Sequence, residues 1–391
     1  MYKLNYKLFS FLLISMFSIV IFACSSDTET VEKIVEVEKE VPVTVVVEKE
    51  VEKKVEVPVE VTRIVEKEVE KKVEVMVTAV PEETKPLVIY SGRGESLVQP
   101  LIDQFQAVSG IEVQVNYGKT TAMAATLLEE GSKTPADVFF AQDPGGLGSV
   151  DSMLSTLSSD LVAMVPDWAS DPEGKWVGTS GRARVVVYNT EAVDPADLPT
   201  SLEGFTDPKW KGKIGFPPTN SSFHAMVTGM RLEWGEEKTK TWLEGIMANE
   251  PKFYAKNTPT VEAAGKGEIE VGFVNHYYLH RFIAENGESF GARNYHTTAD
   301  DPGSIVLVAG AGILEQSDNK DAANEFLKFL LSPVGQQFFA SQTYEYPLND
   351  GAKANRLLTP LADIKKFDID IAELKDIEGT VALLTEVGAL Q

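Results

Sequence analysis

Past residue 86 the apolar positions fall into two alternating rhythms. Leu87 to Ser91, Glu112 to Tyr117 and Ala136 to Ala141 are short runs suited to strands. Between them, Glu95 to Val108 places Leu97, Leu101, Ile102 and Phe105 on one side of a helix, and Thr121 to Glu130 reads as a second helix. The alternation predicts an α/β fold with a parallel sheet covered by helices on both faces. Ligands of such sheets sit beyond the carboxyl ends of the strands, so the loops Gly92 to Glu95, Gly118 to Thr121 and Gln142 to Gly146 are expected to face a site.

Further strands are expected at Arg184 to Asn189 and Lys213 to Phe216. The second leads through Pro217 to Ser222 into an amphipathic helix that carries Met226 and Met230. Thr219, Asn220 or Ser221 can each cap this helix, and free N–H groups at its start favour an anion, although capping alone also accounts for these residues. Val271 to Arg281 reads as a buried strand with Tyr277 and Tyr278 near its end. From Ile305 to Leu314 small apolar residues suit a strand crossing back into the first domain, followed by helices at 319 to 331 and 333 to 341. Two crossings imply a hinge.

The beginning of the chain has another character. Lys3 and Lys7 precede an apolar run from Leu8 to Ala23, the layout of an export signal and short for a membrane span. Residues 27 to 86 consist almost wholly of Val, Glu and Lys, with one eleven-residue run at 47–57 repeated at 65–75. Valines four apart favour a helical face there, whereas Val55 to Val61 alternates as a strand does. Interrupted by Pro42, Pro58 and Pro81, the segment cannot bury a core and reads as a charged stalk, about 200 Å long if extended and about 90 Å if helical. Self-association through its valines is the competing reading.

Charge and cysteine usage narrow the classes of function. A formal net charge of −23 argues against a nucleic-acid groove. Cys24 is the only cysteine, so neither an intramolecular disulfide nor a thiolate zinc site can form. The glycine turns Gly92-Arg93-Gly94 and Gly145 to Gly148 lack the lysine and hydroxyl of a phosphate loop, and no nucleophile set stands out, so an enzyme is not expected. The chemistry rests on Tyr277 and Tyr278, because phenolate oxygen is a hard anionic donor suited to ferric iron. An aromatic patch lining a cleft is the bland alternative.

Several segments together are similar to the ferric-ion-binding proteins of bacterial iron ABC importers, which have a two-lobed type II periplasmic-binding-protein fold. They are Ile89 to Gly92, Thr134 to Phe139, Ser180 to Tyr188, Pro208 to Gly215, Tyr254 to Asn257, Asn275 to Tyr278, Asp301 to Gly303 and Glu345 to Leu348. Ile21 to Cys24 likewise resembles a lipoprotein lipobox, whose cysteine is lipidated. The resemblance implies two hinge crossings, a first lobe of residues 87–183 with 302–350, and a second of 184–301 with 351–391. Residues 1–23 would then be a lipoprotein signal and 24–86 a lipid-anchored stalk in the cell envelope.

It also implies that Tyr277 and Tyr278 are ferric ligands, and that Arg182, Asn220, Ser221, Ser222, Asn257 and Asn275 hold a synergistic anion such as carbonate or phosphate. A membrane permease and its ATPase are the implied partners, with a monomeric globular part. Where some relatives carry a histidine and a glutamate, this chain has Gly94 and Gln142, and Asn220 and Phe223 stand where others place an extra tyrosine. Glu95, Gln142 and Asp143 are therefore candidates for further ligands. Arg184 is better suited than Arg182 to a hinge salt bridge, His276 reads as an orienting or domain-wall residue, and His280 as helix surface. A binding protein of the same fold for an organic solute, such as a polyamine, thiamine or phosphonate, is the rival reading.

Overall fold

The computed structural model describes residues 85–299, 301–364 and 369–390. The expected export signal, Cys24 and the stalk lie outside the described residues.

The first alternation is present: β1 (Leu87–Ser91), α1 (Glu95–Ser109), β2 (Val113–Tyr117), α2 (Thr120–Glu130) and β3 (Val138–Ala141) follow in order. β1 lies between β2 and β3 and runs parallel to both. On α1, Leu97, Val98, Leu101, Ile102 and Phe105 are buried, each large apolar side chain contributing about 1.5–3 kcal/mol. Gly110 ends this helix in the left-handed region at φ 73°, where a side chain would be strained.

Next come α3 (Pro144–Ser149), α4 (Ser159–Val162) and β4 (Val177–Asn189), then β5 (Ile214–Phe216), α5 (Ser221–Trp234), α6 (Glu236–Ala248) and β6 (Lys252–Phe253). The chain continues through α7 (Asn257–Gly265), β7 (Val271–Asn275), α8 (Tyr277–Asn286), β8 (Ala292–Tyr295) and β9 (Val306–Ile313). It ends in α9 (Lys320–Leu331), α10 (Pro333–Gln342) and α11 (Ile377–Glu386).

The strands order as β2-β1-β3-β9-β4-β7-β5-β6, with β8 beside β4. The sheet is mixed rather than wholly parallel, because β9 runs antiparallel to both β3 and β4. β4 is the shared element: residues 177–183 pair with β9, and from Arg184 onward it pairs with β7 and β8. The strand begins at Val177 rather than at the expected Arg184. Its first half, which contains Gly178 and Gly181, carries no strand pattern of its own, yet it is buried throughout. A Cβ on Gly178 would lie 2.7 Å from Ala169 O, a backbone atom that cannot step aside, so only glycine admits that packing.

Two further differences concern the site. β7 stops at Asn275, so Tyr277 and Tyr278 open α8 instead of ending a strand. The C-terminal segment, expected wholly in the second lobe, packs its turn Ile371–Lys375 on α3 and its helix α11 on α5. The Thr228 and Thr380 hydroxyls bond at 2.7 Å, and Arg231 Nη1 donates to Asp376 O at 3.1 Å.

Candidate functional site

Tyr277 is fully buried and Tyr278 partly so, and their rings stack at 4.3 Å between centroids with 29° between planes. The stack follows from placing two successive residues on the first turn of α8 while β7 anchors the preceding Asn275. Burial first, then the charge and hydrogen bond of Tyr277, hold the Tyr278 phenol well above the ordinary tyrosine value; Arg93 and Asn257 pull the other way. Among the described residues no group of three or more His, Cys, Asp or Glu side chains is placed to hold a metal. The phenols are the hard donors this site offers.

Beside them, three helix starts converge. Asn220 caps α5 by accepting from Ser222 N at 3.1 Å, and its Oδ1 also accepts from Asn257 Nδ2, at the start of α7, at 3.4 Å. Asn275, just before α8, donates through Nδ2 to Ser222 Oγ at 3.2 Å. The structure thus brings Asn220, Ser222, Asn257 and Asn275 together, with Ser221 buried on the same turn. Helix starts present free N–H groups and a partial positive charge, which suits an anion.

Two guanidiniums reinforce that field. Arg182 Nη1 donates to Ser222 Oγ at 2.8 Å and Nη2 to Val308 O at 3.1 Å; Arg184 Nη1 donates to Asn275 Oδ1 at 2.9 Å. Both are buried, and Arg182 Nε, Arg184 Nε and Arg184 Nη2 have no partner. Among the described residues Arg184 forms no salt bridge, contrary to expectation. Burial and the neighbouring Arg182 instead pull its guanidinium down to about 9, opposed by Tyr277 and Tyr278. Asn257 Oδ1 is also unpartnered. The unmet arginine N–H groups, gathered in one place, are costly unless a ligand answers them; Asn257 Oδ1 is an acceptor and is not one of them.

The candidate extra ligands fare differently. Glu95 is exposed at the start of α1 and its charge bears on Tyr117, so it is not gathered with the pair. Asp143 is buried, caps α3 by accepting from Gly146 N at 3.2 Å, and leaves Oδ2 unpartnered. Gln142 reaches Tyr277, but with nitrogen: Nε2 donates to the Tyr277 hydroxyl at 2.7 Å while Oε1 accepts from Arg93 Nη1 at 3.1 Å. A guanidinium can only donate, so the amide oxygen faces Arg93 and is turned away from the pair, against the expectation of an oxygen ligand. His276 is buried, accepting from Ala183 N at 3.1 Å and donating to Tyr344 O at 2.8 Å. Burial, with His280 and His296 nearby, lowers it to about 3, so it stands neutral as a wall between neighbouring elements. His280 is half-buried against Tyr344 rather than free surface.

Sequence reasoning missed Arg93, Glu345 and the anion-facing placement of Arg184. A charged residue between glycines in a loop expected to face the site was the available signal for Arg93. Nothing local marks Glu345, which comes from 252 positions away in the chain.

A two-part sheet sharing a crossing strand, with ligand-ready side chains where its helices begin, defines a two-lobed periplasmic-type solute-binding protein. The family described as bacterial extracellular solute-binding protein matches residues 133–369, and the chain belongs to that family. It is 33% identical to the major ferric iron-binding protein of Neisseria meningitidis serogroup B, covering 80% of this chain and 96% of that one. Iron-bound HitA from Pseudomonas aeruginosa superimposes with a TM-score of 0.75 at 31% identity, over 78% of this chain and 99% of that one. Trichodesmium IdiA (FutA), solved with iron and citrate ligands, gives 0.67 at 27% identity over 78% and 99%. The Neisseria relative is named for binding ferric iron, and both solved structures hold iron.

Proposed function

We propose that this chain captures ferric iron through the phenolates of Tyr277 and Tyr278 together with a synergistic anion, and delivers it to an ABC permease and its ATPase. The observation that carries this reading is the buried, stacked tyrosine pair beside two guanidiniums that no carboxylate answers. The named iron-binding relatives support it.

Charge counting sets the class of anion. Ferric iron with two phenolates keeps one positive charge, and Arg182 with Arg184 adds two. A dianion such as carbonate or phosphate offsets most of this sum, and a monovalent anion offsets little of it. Arg182, Arg184, Asn220, Ser221, Ser222, Asn257 and Asn275 hold that anion, which fills the iron positions left open beside the phenols. Asp143 Oδ2 is the available further carboxylate.

In this reading the lobe of residues 87–183 with 302–350 closes over that of 184–301 with 351–391, bending where β4 changes partners, and the turn Ile371–Lys375 on α3 is the contact of the C-terminal segment that spans the two. Lipidated Cys24 and the stalk tether the binding lobes to the cell envelope. The test is a titration of the full chain with ferric nitrilotriacetate at fixed phosphate. A visible tyrosinate charge-transfer band is expected, to be lost in the Tyr277→Phe/Tyr278→Phe double variant. Unchanged iron binding by that variant overturns the ligand assignment.

A further inference from the structure

Among the described ion pairs, only that between Arg93 and Glu345 has both side chains fully enclosed. Arg93 Nη2 donates to Glu345 Oε2 at 2.6 Å, and Thr343 Oγ1 donates to the same oxygen at 2.9 Å. Taking two charges out of water is expensive, and an apolar pair of similar volume would serve packing alone at least as well. The backbone before Glu345 is itself unusual: Tyr344 sits at φ 57°, a left-handed conformation that is strained for a residue with a side chain. Both features deliver one charged group to the Gln142 amide. Arg93 Nη1 takes the amide oxygen at 3.1 Å, which leaves the amide nitrogen to donate to the Tyr277 oxygen at 2.7 Å.

We propose that Arg93, held by Glu345, is a positioning residue that orients the Gln142 amide as a fixed hydrogen-bond donor to the Tyr277 oxygen, directing that oxygen's remaining lone pairs toward the metal. The proposal rests on the ferric reading of the tyrosine pair. A donor on the phenolate oxygen withdraws electron density from it. Losing the donor raises the phenolate orbital, so the iron charge-transfer band moves to longer wavelength. It also frees the ring to turn, so iron leaves faster.

The experiment uses the full chain loaded with ferric nitrilotriacetate and inorganic phosphate. Removing Arg93 alone strands a buried carboxylate, so the first variant is the pair Arg93→Gln/Glu345→Gln, and the second is Gln142→Leu, which leaves the ion pair in place. Both are expected to load iron with the band at longer wavelength and to release it to a competing chelator roughly tenfold faster, as befits one hydrogen bond to a charged oxygen. A folded paired variant with the wild-type band and release rate overturns the proposal. So does a shifted band in the paired variant but not in Gln142→Leu, because Arg93 would then act by another route. If the paired variant does not fold, Gln142→Leu decides: a wild-type spectrum overturns the role and a shifted one supports it. A wild-type chain that takes no iron overturns the ferric reading itself, which is a separate result.

Discussion

Tyr278 illustrates how burial sets chemistry at a single residue. Its phenol is held well above the ordinary value chiefly by burial, so it is protonated at neutral pH in the empty site. If, as proposed, iron binds the phenolate, loading must expel that proton, and affinity must rise with pH and fall in acid. In a weakly buffered solution with a pH indicator, Tyr278→Phe is expected to release one proton fewer per iron than the wild type. It should also lose at least about 100-fold in affinity, the upper end of what an outer partner costs. His276 supplies a second pH effect, on stability. Its folded-state value of about 3 lies below that of a free imidazole, so the fold gains from neutral His276 above about pH 6.5 and loses this gain as pH falls toward 3. Half-buried His280 and His296, each lowered to about 4 mainly by burial, act in the same direction. Thermal melts of the iron-free chain should therefore show a steady fall in Tm across that window, smaller in His276→Gln; a flat profile would contradict the neutral-wall role.

At the scale of elements, the start of α5 serves two ends that one substitution pair separates. Asn220→Ala removes the cap and is expected to cost about 1 kcal/mol in urea unfolding. Asn220→Asp keeps the cap but places a negative charge in the proposed anion site, so stability should be retained while phosphate-dependent iron loading falls. Equal loading by Asn220→Asp and wild type would remove Asn220 from the anion site. At the other helix, a Cβ on Gly145 of α3 would lie 2.5 Å from Leu374 O, so Gly145→Ala is expected to cost roughly 1–3 kcal/mol by forcing the C-terminal turn away.

Elements whose side chains alternate by burial were readable in the sequence: β1, α1, β2, α2, β3, α9 and α10 lie within a few residues of their expected bounds. Small residues were readable where the apolar run is unbroken, as in β9, expected at 305–314 and found at Val306–Ile313, but not where glycines alternate with polar residues in the first half of β4. The first half of β4 is a strand because β9 lies beside it and Leu348 and Tyr346 pack on its glycines, facts of tertiary contact that local pattern cannot carry. Tyr277 and Tyr278 were placed on a strand, since only Asn275 and His276 separate them from the apolar run that ends at Val274, with no Gly or Pro between to mark a turn. The Arg93–Glu345 pair was illegible because its members are distant in sequence and each looks like an ordinary surface charge.

Segments far apart among the described residues are drawn together at the site by a few side chains. Gln142 reaches Tyr277, and Lys119 Nζ donates to Thr219 Oγ1 at 3.2 Å. If iron and its anion hold this arrangement shut, hydrogen exchange in the full chain should slow on loading with ferric ion and phosphate. The slowing should concentrate in residues 118–121, 142–146 and 219–223 and at the β4 changeover near Arg184; slowing confined to α8 would argue against closure. The central claim is that phenolate oxygens grip the metal. Resonance Raman spectroscopy of the iron-loaded full chain, excited in the visible band, tests it most directly. The account expects tyrosinate ring modes that weaken in Tyr277→Phe and in Tyr278→Phe and vanish in the double variant. Bound iron without those modes in the wild type, or with undiminished modes in the double variant, would contradict it.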